Sequence, residues 1–226
     1  MICRASAGFV FMLSGCVALS SVQPADTLGR GRLQVGIEPG LSAAVTPRAP
    51  LLPQPVMDVS LRFGALERLD LGARLGQSGL EVSTKVMLTP RRSPVLVSVA
   101  PALGGTVLLA GDTPAVVGQS FSAALPLLLG LRLGPHQLVL GPRAQLMVVV
   151  ASDPNQPALR ALLVGGSLGV ALHVSRAVTV LPELAVAPVV LRDGALPPGV
   201  PGVTGGEGVP VQLRLGVLLG EPQPVE

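Results

Sequence analysis

Five consecutive residues, Gly165-Gly166-Ser167-Leu168-Gly169, match the G-x-S-x-G pattern of a serine nucleophile. That pattern works when the serine sits on a strained turn between a strand and a helix, with an acid and then a histidine following in the chain. Here the apolar alternation runs on to Val174, no helical period follows, and His173 precedes Asp193, which reverses the order. Ser167 therefore reads as a small residue inside a strand. The two histidines, His136 and His173, lack metal-ligand spacing and read as turn or interior residues. Asp112 and Asp153-Pro154 read as turn formers. Gly104-Gly105-Thr106 and Gly205–Gly208 lack the helix and lysine that follow a phosphate cradle. Arg91-Arg92 reads as a solvated turn. The sequence thus points to no catalytic residue, no metal site and no cofactor, and the chain reads as non-enzymatic.

The remaining chemistry is ionic, and it is patterned. Over 69–76 and 79–88, Leu69, Leu71, Ala73 and Leu75, then Leu80, Val82, Thr84, Val86 and Leu88, form one row. Asp70, Gly72 and Arg74, then Glu81, Ser83 and Lys85, form the other. A two-residue turn at Gln77-Ser78 sets Arg74 opposite Glu81 and Asp70 opposite Lys85. Directly opposed pairs contribute roughly 0.2–1 kcal/mol each, and a one-residue slip loses them all. A short loop at Leu66-Glu67-Arg68 sets Gly64 opposite Asp70, with Arg62 diagonal to it.

The same alternation predicts strands over 30–45, 56–65, 69–76, 79–88, 95–103, 121–133, 136–150, 159–174, 177–187 and 209–219. The stretches 104–119 and 188–208 read as long loops. Connections alternate mostly between short and long, so an even number of strands returns both ends of the chain to the short-turn side. The expected fold is all-β, an antiparallel up-and-down barrel of about ten strands. One row is apolar almost throughout. The other collects the charges Asp58, Arg62, Asp70, Arg74, Glu81, Lys85, Arg132, Arg143, Glu183 and Arg214. Period alone leaves open which row is inside. Charges inside and apolar residues outside describe a barrel in lipid; the reverse describes a soluble barrel or sandwich.

The expected orientation is the transmembrane one, with these ten charges in the barrel interior, because an outward Arg or Lys would cost roughly 2–4 kcal/mol near mid-membrane. Apolar residues make up 49% and charged residues 13% of the 226, against roughly 25% charged in soluble domains. Net charge is +3, Lys85 is the sole lysine, and there is no Trp or Tyr. No aromatic residues interleave with basic ones, which argues against nucleic acid.

The N-terminus has a basic start at Arg4, an apolar core over 5–13, and then Leu13-Ser14-Gly15-Cys16. The first fifteen residues read as a secretion signal. The tetrapeptide resembles a bacterial lipobox, and that resemblance implies cleavage before Cys16 and acylation of its thiol. Val17 at the next position is compatible with outer-membrane sorting in such lipoproteins. Residues 16–29 then read as a lipidated tether, 30–219 as the barrel and 220–226 as a polar tail. The chain as a whole resembles the small outer-membrane β-barrel proteins of Gram-negative bacteria. It departs from them in lacking aromatic girdles and in ending its last strand on Leu218-Leu219. The resemblance implies a structural or narrow-pore role, outer-membrane lipid as surroundings, periplasmic termini, and envelope protein partners that the sequence does not specify. The alternative is a lipid-anchored soluble barrel facing the periplasm that binds a lipid or a protein.

Overall fold

Apolar and polar residues alternate with a period of two along nearly the whole chain, and each such run folds as a strand. The computed structural model describes residues 18–45, 53–77, 79–110, 115–194 and 208–220. Cys16 and its lipobox, Asp112, Gly205–Glu207 and residues 221–226 lie outside the described residues.

The strand segments are β1 (Leu33–Val45), β2 (Gln54–Leu66), β3 (Leu69–Gly76), β4 (Gly79–Met87), β5 (Val95–Val99), β6 (Ala102–Ala110) and β7 (Ala115–Leu133). They continue with β8 (His136–Leu140), β9 (Arg143–Ala151), β10 (Leu159–His173), β11 (Val178–Val186), β12 (Val189–Asp193) and β13 (Val209–Leu219). Three interruptions fall at prolines: Pro101, Pro142 and Pro188. A proline has no N–H for the ladder, so pairing lapses there without ending the strand. Leu127 N still donates to Pro142 O at 2.8 Å, and Val164 N to Pro188 O at 3.1 Å. β5–β6, β8–β9 and β11–β12 are therefore single strands, and ten strands cross the wall. Every neighbouring pair is antiparallel, and β13 pairs with both β11 and β1, which closes the barrel.

The predicted registers hold. Asp70 pairs with Lys85 and Arg74 with Glu81, and Gly64 faces Asp70. Two predicted loops are shorter than the alternation suggested. Residues 104–119 are mostly strand, because Gly104, Gly105 and Thr106 interrupt the apolar row without interrupting the backbone pairing of β6 with β7. The loop expected over 188–208 begins only after β12, which pairs with β10. The excess of long loops at one end is correspondingly weaker. It is clearest in the connections flanking the closing seam, 46–53 and 194–208.

The two rows face as a membrane wall requires. Ile37, Val59, Leu61, Phe63, Leu71 and Val82 point outward, with Val59 49% exposed. Asp58, Asp70, Arg74, Lys85, Glu183 and Arg214 point inward and are buried. An outward Arg or Lys would cost roughly 2–4 kcal/mol at the bilayer midplane, so this arrangement suits lipid and works against the soluble alternative. No helix among the described residues is long and apolar enough to cross a membrane.

One expectation is overturned. Residues 18–29, read from the sequence as part of a lipidated tether outside the barrel, run through the barrel interior. Ser20 and Ala25 are fully buried, and Val22, Thr27 and Leu28 nearly so. Width supplies the physical reason. Eight strands enclose just enough space for side chains to fill. Ten strands lined by Gly36, Ser60, Gly72, Ser98, Gly104 and Gly130 leave a channel that one extended chain occupies.

Candidate functional site

The barrel interior is the candidate site, and the residues 18–29, hereafter the strap, are its centre. Leu19 N donates to Gln212 Oε1 at 2.9 Å. Ser21 N and Val22 N both donate to the Glu183 carboxylate, at 3.3 and 2.7 Å. Ala25 N donates to Gln137 Oε1 at 2.7 Å, and Leu28 N to Asp70 at 3.0 and 3.2 Å. The strap carbonyls are caught as well. Arg74 donates to Ser20 O at 2.8 Å, and Lys85 to Pro24 O at 3.1 Å and also to Asp26 O. Ser98 Oγ donates to Ala25 O, and Arg91 to Thr27 O at 3.1 Å. A buried chain without secondary structure needs such partners for its N–H and C=O groups, since each left unmade costs about 1–3 kcal/mol.

Contact order fixes the direction of the strap. Leu19 meets Gln212, which pairs across to Ser42 near the 46–53 connection. Leu28 meets Asp70 beside the Leu66–Leu69 turn. The strap thus enters at the loop end, descends to the turn end, and reverses into β1. Gly29 and Gly31 make that reversal with φ of 87° and 78°, a conformation glycine adopts without strain. Gly31 N then donates to Gly64 O at 2.7 Å. A side chain at Gly64 would collide with the Gly29 carbonyl. Val22 takes φ 38°, which costs a β-branched residue of order 1–3 kcal/mol. The twist aims two successive N–H groups at Glu183, an anion-holding nest.

Two ionic clusters brace the wall around the strap. In the first, Asp70 pairs with Arg62 at 2.7 Å and Lys85 at 3.3 Å, and Arg62 also donates to Gln34 at 2.9 Å. In the second, Arg74 reaches Glu81 at 2.8 Å and Glu38 at 3.4 Å, while Arg214 pairs with Asp58 and lies 3.7 Å from Glu38. Both predicted cross-strand pairs are thus real ion pairs inside the barrel.

Of the ten predicted interior charges, eight are buried: Asp58, Arg62, Asp70, Arg74, Lys85, Arg143, Glu183 and Arg214. Glu81 keeps 19% side-chain exposure. Arg132 is half-buried near the turn end, beside the Gln137 pairing. Sequence reasoning missed Glu38, which sits between both arginines of the second cluster, and it missed the acceptors Gln137 and Gln212. All three stand on the polar rows of their strands, so the parity that placed the other charges also placed them.

Ser167 lies within β10, its N–H and C=O both bonded to Gly141 at 3.0 and 2.8 Å. No elbow or helix follows it. His173 faces inward and pairs with Thr179, while His136 stands on the outward row beside the Gly134 turn. Among the described residues no cluster of histidine, cysteine or carboxylate side chains could hold a metal.

No protein-family model matches this chain, and no curated protein matches it in sequence. Solved structures of similar fold include Neisserial surface protein A, at 12% identity and a TM-score of 0.42, covering 83% of this chain and 96% of that one. Ail of Yersinia pestis aligns at 8% identity and a TM-score of 0.41, covering 84% and 99%. The translocator domain of the autotransporter NalP from Neisseria meningitidis aligns at 12% and 0.49, covering 86% and 90%. The likeness extends to the barrel fold alone.

Proposed function

We propose that this chain is a non-enzymatic outer-membrane barrel whose own N-terminal strap closes it, so that its role is structural and solute passage requires the strap to leave. The observation that carries this reading is the satisfaction of the strap. The N–H groups of Leu19, Ser21, Val22, Ala25 and Leu28 and the carbonyls of Ser20, Pro24, Ala25, Asp26 and Thr27 are each bonded to side chains around the strap. A narrow pore corresponds to the strap-free state. Outward Leu and Val and inward ion pairs support a lipid environment. Liposome swelling tests the closure: the intact protein should pass no small sugar, and rapid swelling with intact protein would refute it.

We further propose acylation of Cys16, on the strength of its lipobox. Only Val17 separates it from Ala18, so chain length lets the acylated residue reach no farther than about 7 Å from Ala18. An anchor in the inner leaflet, on the turn side, therefore requires a withdrawn strap; an inserted strap holds the anchor toward the loop side. Incorporation of labelled palmitate, lost in Cys16→Ala, tests the acylation. Antibody access on intact cells to a tag placed before Ala18 separates the two positions.

A further inference from the structure

Residues along the strap repeat with a period of three. The N–H groups of Leu19, Val22, Ala25 and Leu28 each donate to a wall acceptor: Gln212, Glu183, Gln137 and Asp70 in turn. The side chains of the first three each enter a separate apolar pocket in the wall. Leu19 packs in a cluster with Leu108, Met147 and Leu159. Val22 packs with Ala171, Leu181 and Leu218. Ala25 packs with Met87, Leu96 and Leu128. Glycines make the room. A Cβ at Gly130 would stand 2.7 Å from the Ala25 Cβ, and one at Gly216 would collide with Val22. Among the described residues, Thr27 alone uses its side chain to hydrogen-bond the wall. The wall therefore reads backbone and the spacing of apolar residues, and it reads little else.

We propose that the barrel interior is a binding channel for an extended polypeptide segment with an apolar residue at every third position, and that residues 18–29 are the occupant it holds in cis. The proposal rests on the closed-barrel reading. Its ligand class follows from the acceptor ladder, since any extended chain offers the same N–H and C=O groups. The three pockets then select for spacing. The strap is joined to the barrel through the Gly29–Arg32 reversal, where Arg30 and Gly31 are exposed, so cutting at Arg30 leaves the barrel strands intact.

The test uses the full chain, folded in detergent and then cut at a protease site inserted at Arg30. Three labelled peptides are added: the strap sequence and a version with Leu, Val, Ala and Leu kept at every third position and serine elsewhere, both dodecapeptides, and a tridecapeptide with the same four residues at every fourth position. The first two should bind saturably with Kd values within about tenfold of each other, and the third at least tenfold more weakly. Failure of the first two to bind, or equal binding of all three, overturns the proposal. A second arm needs no cut. One serine inserted between Val22 and Gln23 in the intact chain shifts Ala25 and Leu28 out of phase. Proteinase K should then cleave the strap at least tenfold faster than in the parent, and unchanged protection also overturns the proposal. Swelling by the intact parent, measured separately, would remove the closed-barrel reading without bearing on peptide spacing.

Discussion

Replacing Lys85 with leucine removes one cation from a buried cluster and two donors from the strap. Its ammonium lies 3.3 Å from Asp70 Oδ2 and donates to Pro24 O at 3.1 Å and to Asp26 O. Asp70 retains Arg62 at 2.7 Å and the N–H of Leu28, so its charge is not stranded. The two strap carbonyls lose their wall donor, at about 1–3 kcal/mol each if no water reaches them. Breaking a buried ion pair costs about 3–5 kcal/mol when it strands the remaining charge, and the retained Arg62 keeps the loss at Asp70 below that. Leucine returns part of this by packing in the space of the lysine stem. The net loss should be about 3–5 kcal/mol, read as a lower urea midpoint for the loss of heat-modifiable gel migration in micelles. Asp70→Asn should cost at least as much, because it leaves both Arg62 and Lys85 without their carboxylate. The double variant should cost less than the sum of the two singles. A change under about 0.5 kcal/mol for Lys85→Leu is what an exposed pair gives, and it would refute the interior placement of these charges.

Three further outcomes follow from the same geometry. Gly216→Val fills the space Val22 occupies and should displace the strap, so that liposomes carrying this variant swell in a small sugar where the parent does not. Val59→Arg, on the outward face of β2, should destabilise by about 2–4 kcal/mol in bilayers, measured by the same gel shift in urea. Ser167→Ala should change stability by under about 0.5 kcal/mol; a larger loss would show that the Ser167 hydroxyl has a role the strand geometry does not give it.

The wall was legible in the sequence because a two-residue period places every side chain on one face or the other. The pairings Asp70–Lys85 and Arg74–Glu81 followed from turn length and parity, and the structure reproduces both. Period alone did not say which row faces inward, because reversing the barrel leaves it unchanged; the cost of Arg and Lys in lipid supplied the orientation. The run from Gly104 to Gln119 misled because glycine and threonine carry no apolar signal, although the β6–β7 ladder continues through much of it. The strap was illegible for a deeper reason. Ala-Leu-Ser-Ser-Val-Gln-Pro-Ala-Asp-Thr-Leu-Gly has the polarity of a linker, and its burial is compensated by groups far along the chain, such as Gln212 and Glu183. Its period of three becomes visible only once those acceptors are in place. Glu38 and Gln137 stood on the right rows, but nothing local marked them as partners of an arginine or of a strap amide.

A cysteine pair at Ala25 and Gly130, with Cys3 and Cys16 replaced, tests the inserted strap most directly. The Cβ atoms of these positions would lie 2.7 Å apart, so a shift of about 1 Å reaches the 3.5–4.5 Å of a disulfide. Mild oxidation of the folded barrel should link the two residues, seen by peptide mapping without reductant. If both thiols instead stay free and react with a maleimide in the folded protein, the strap does not occupy the barrel interior, and the closed-barrel account fails.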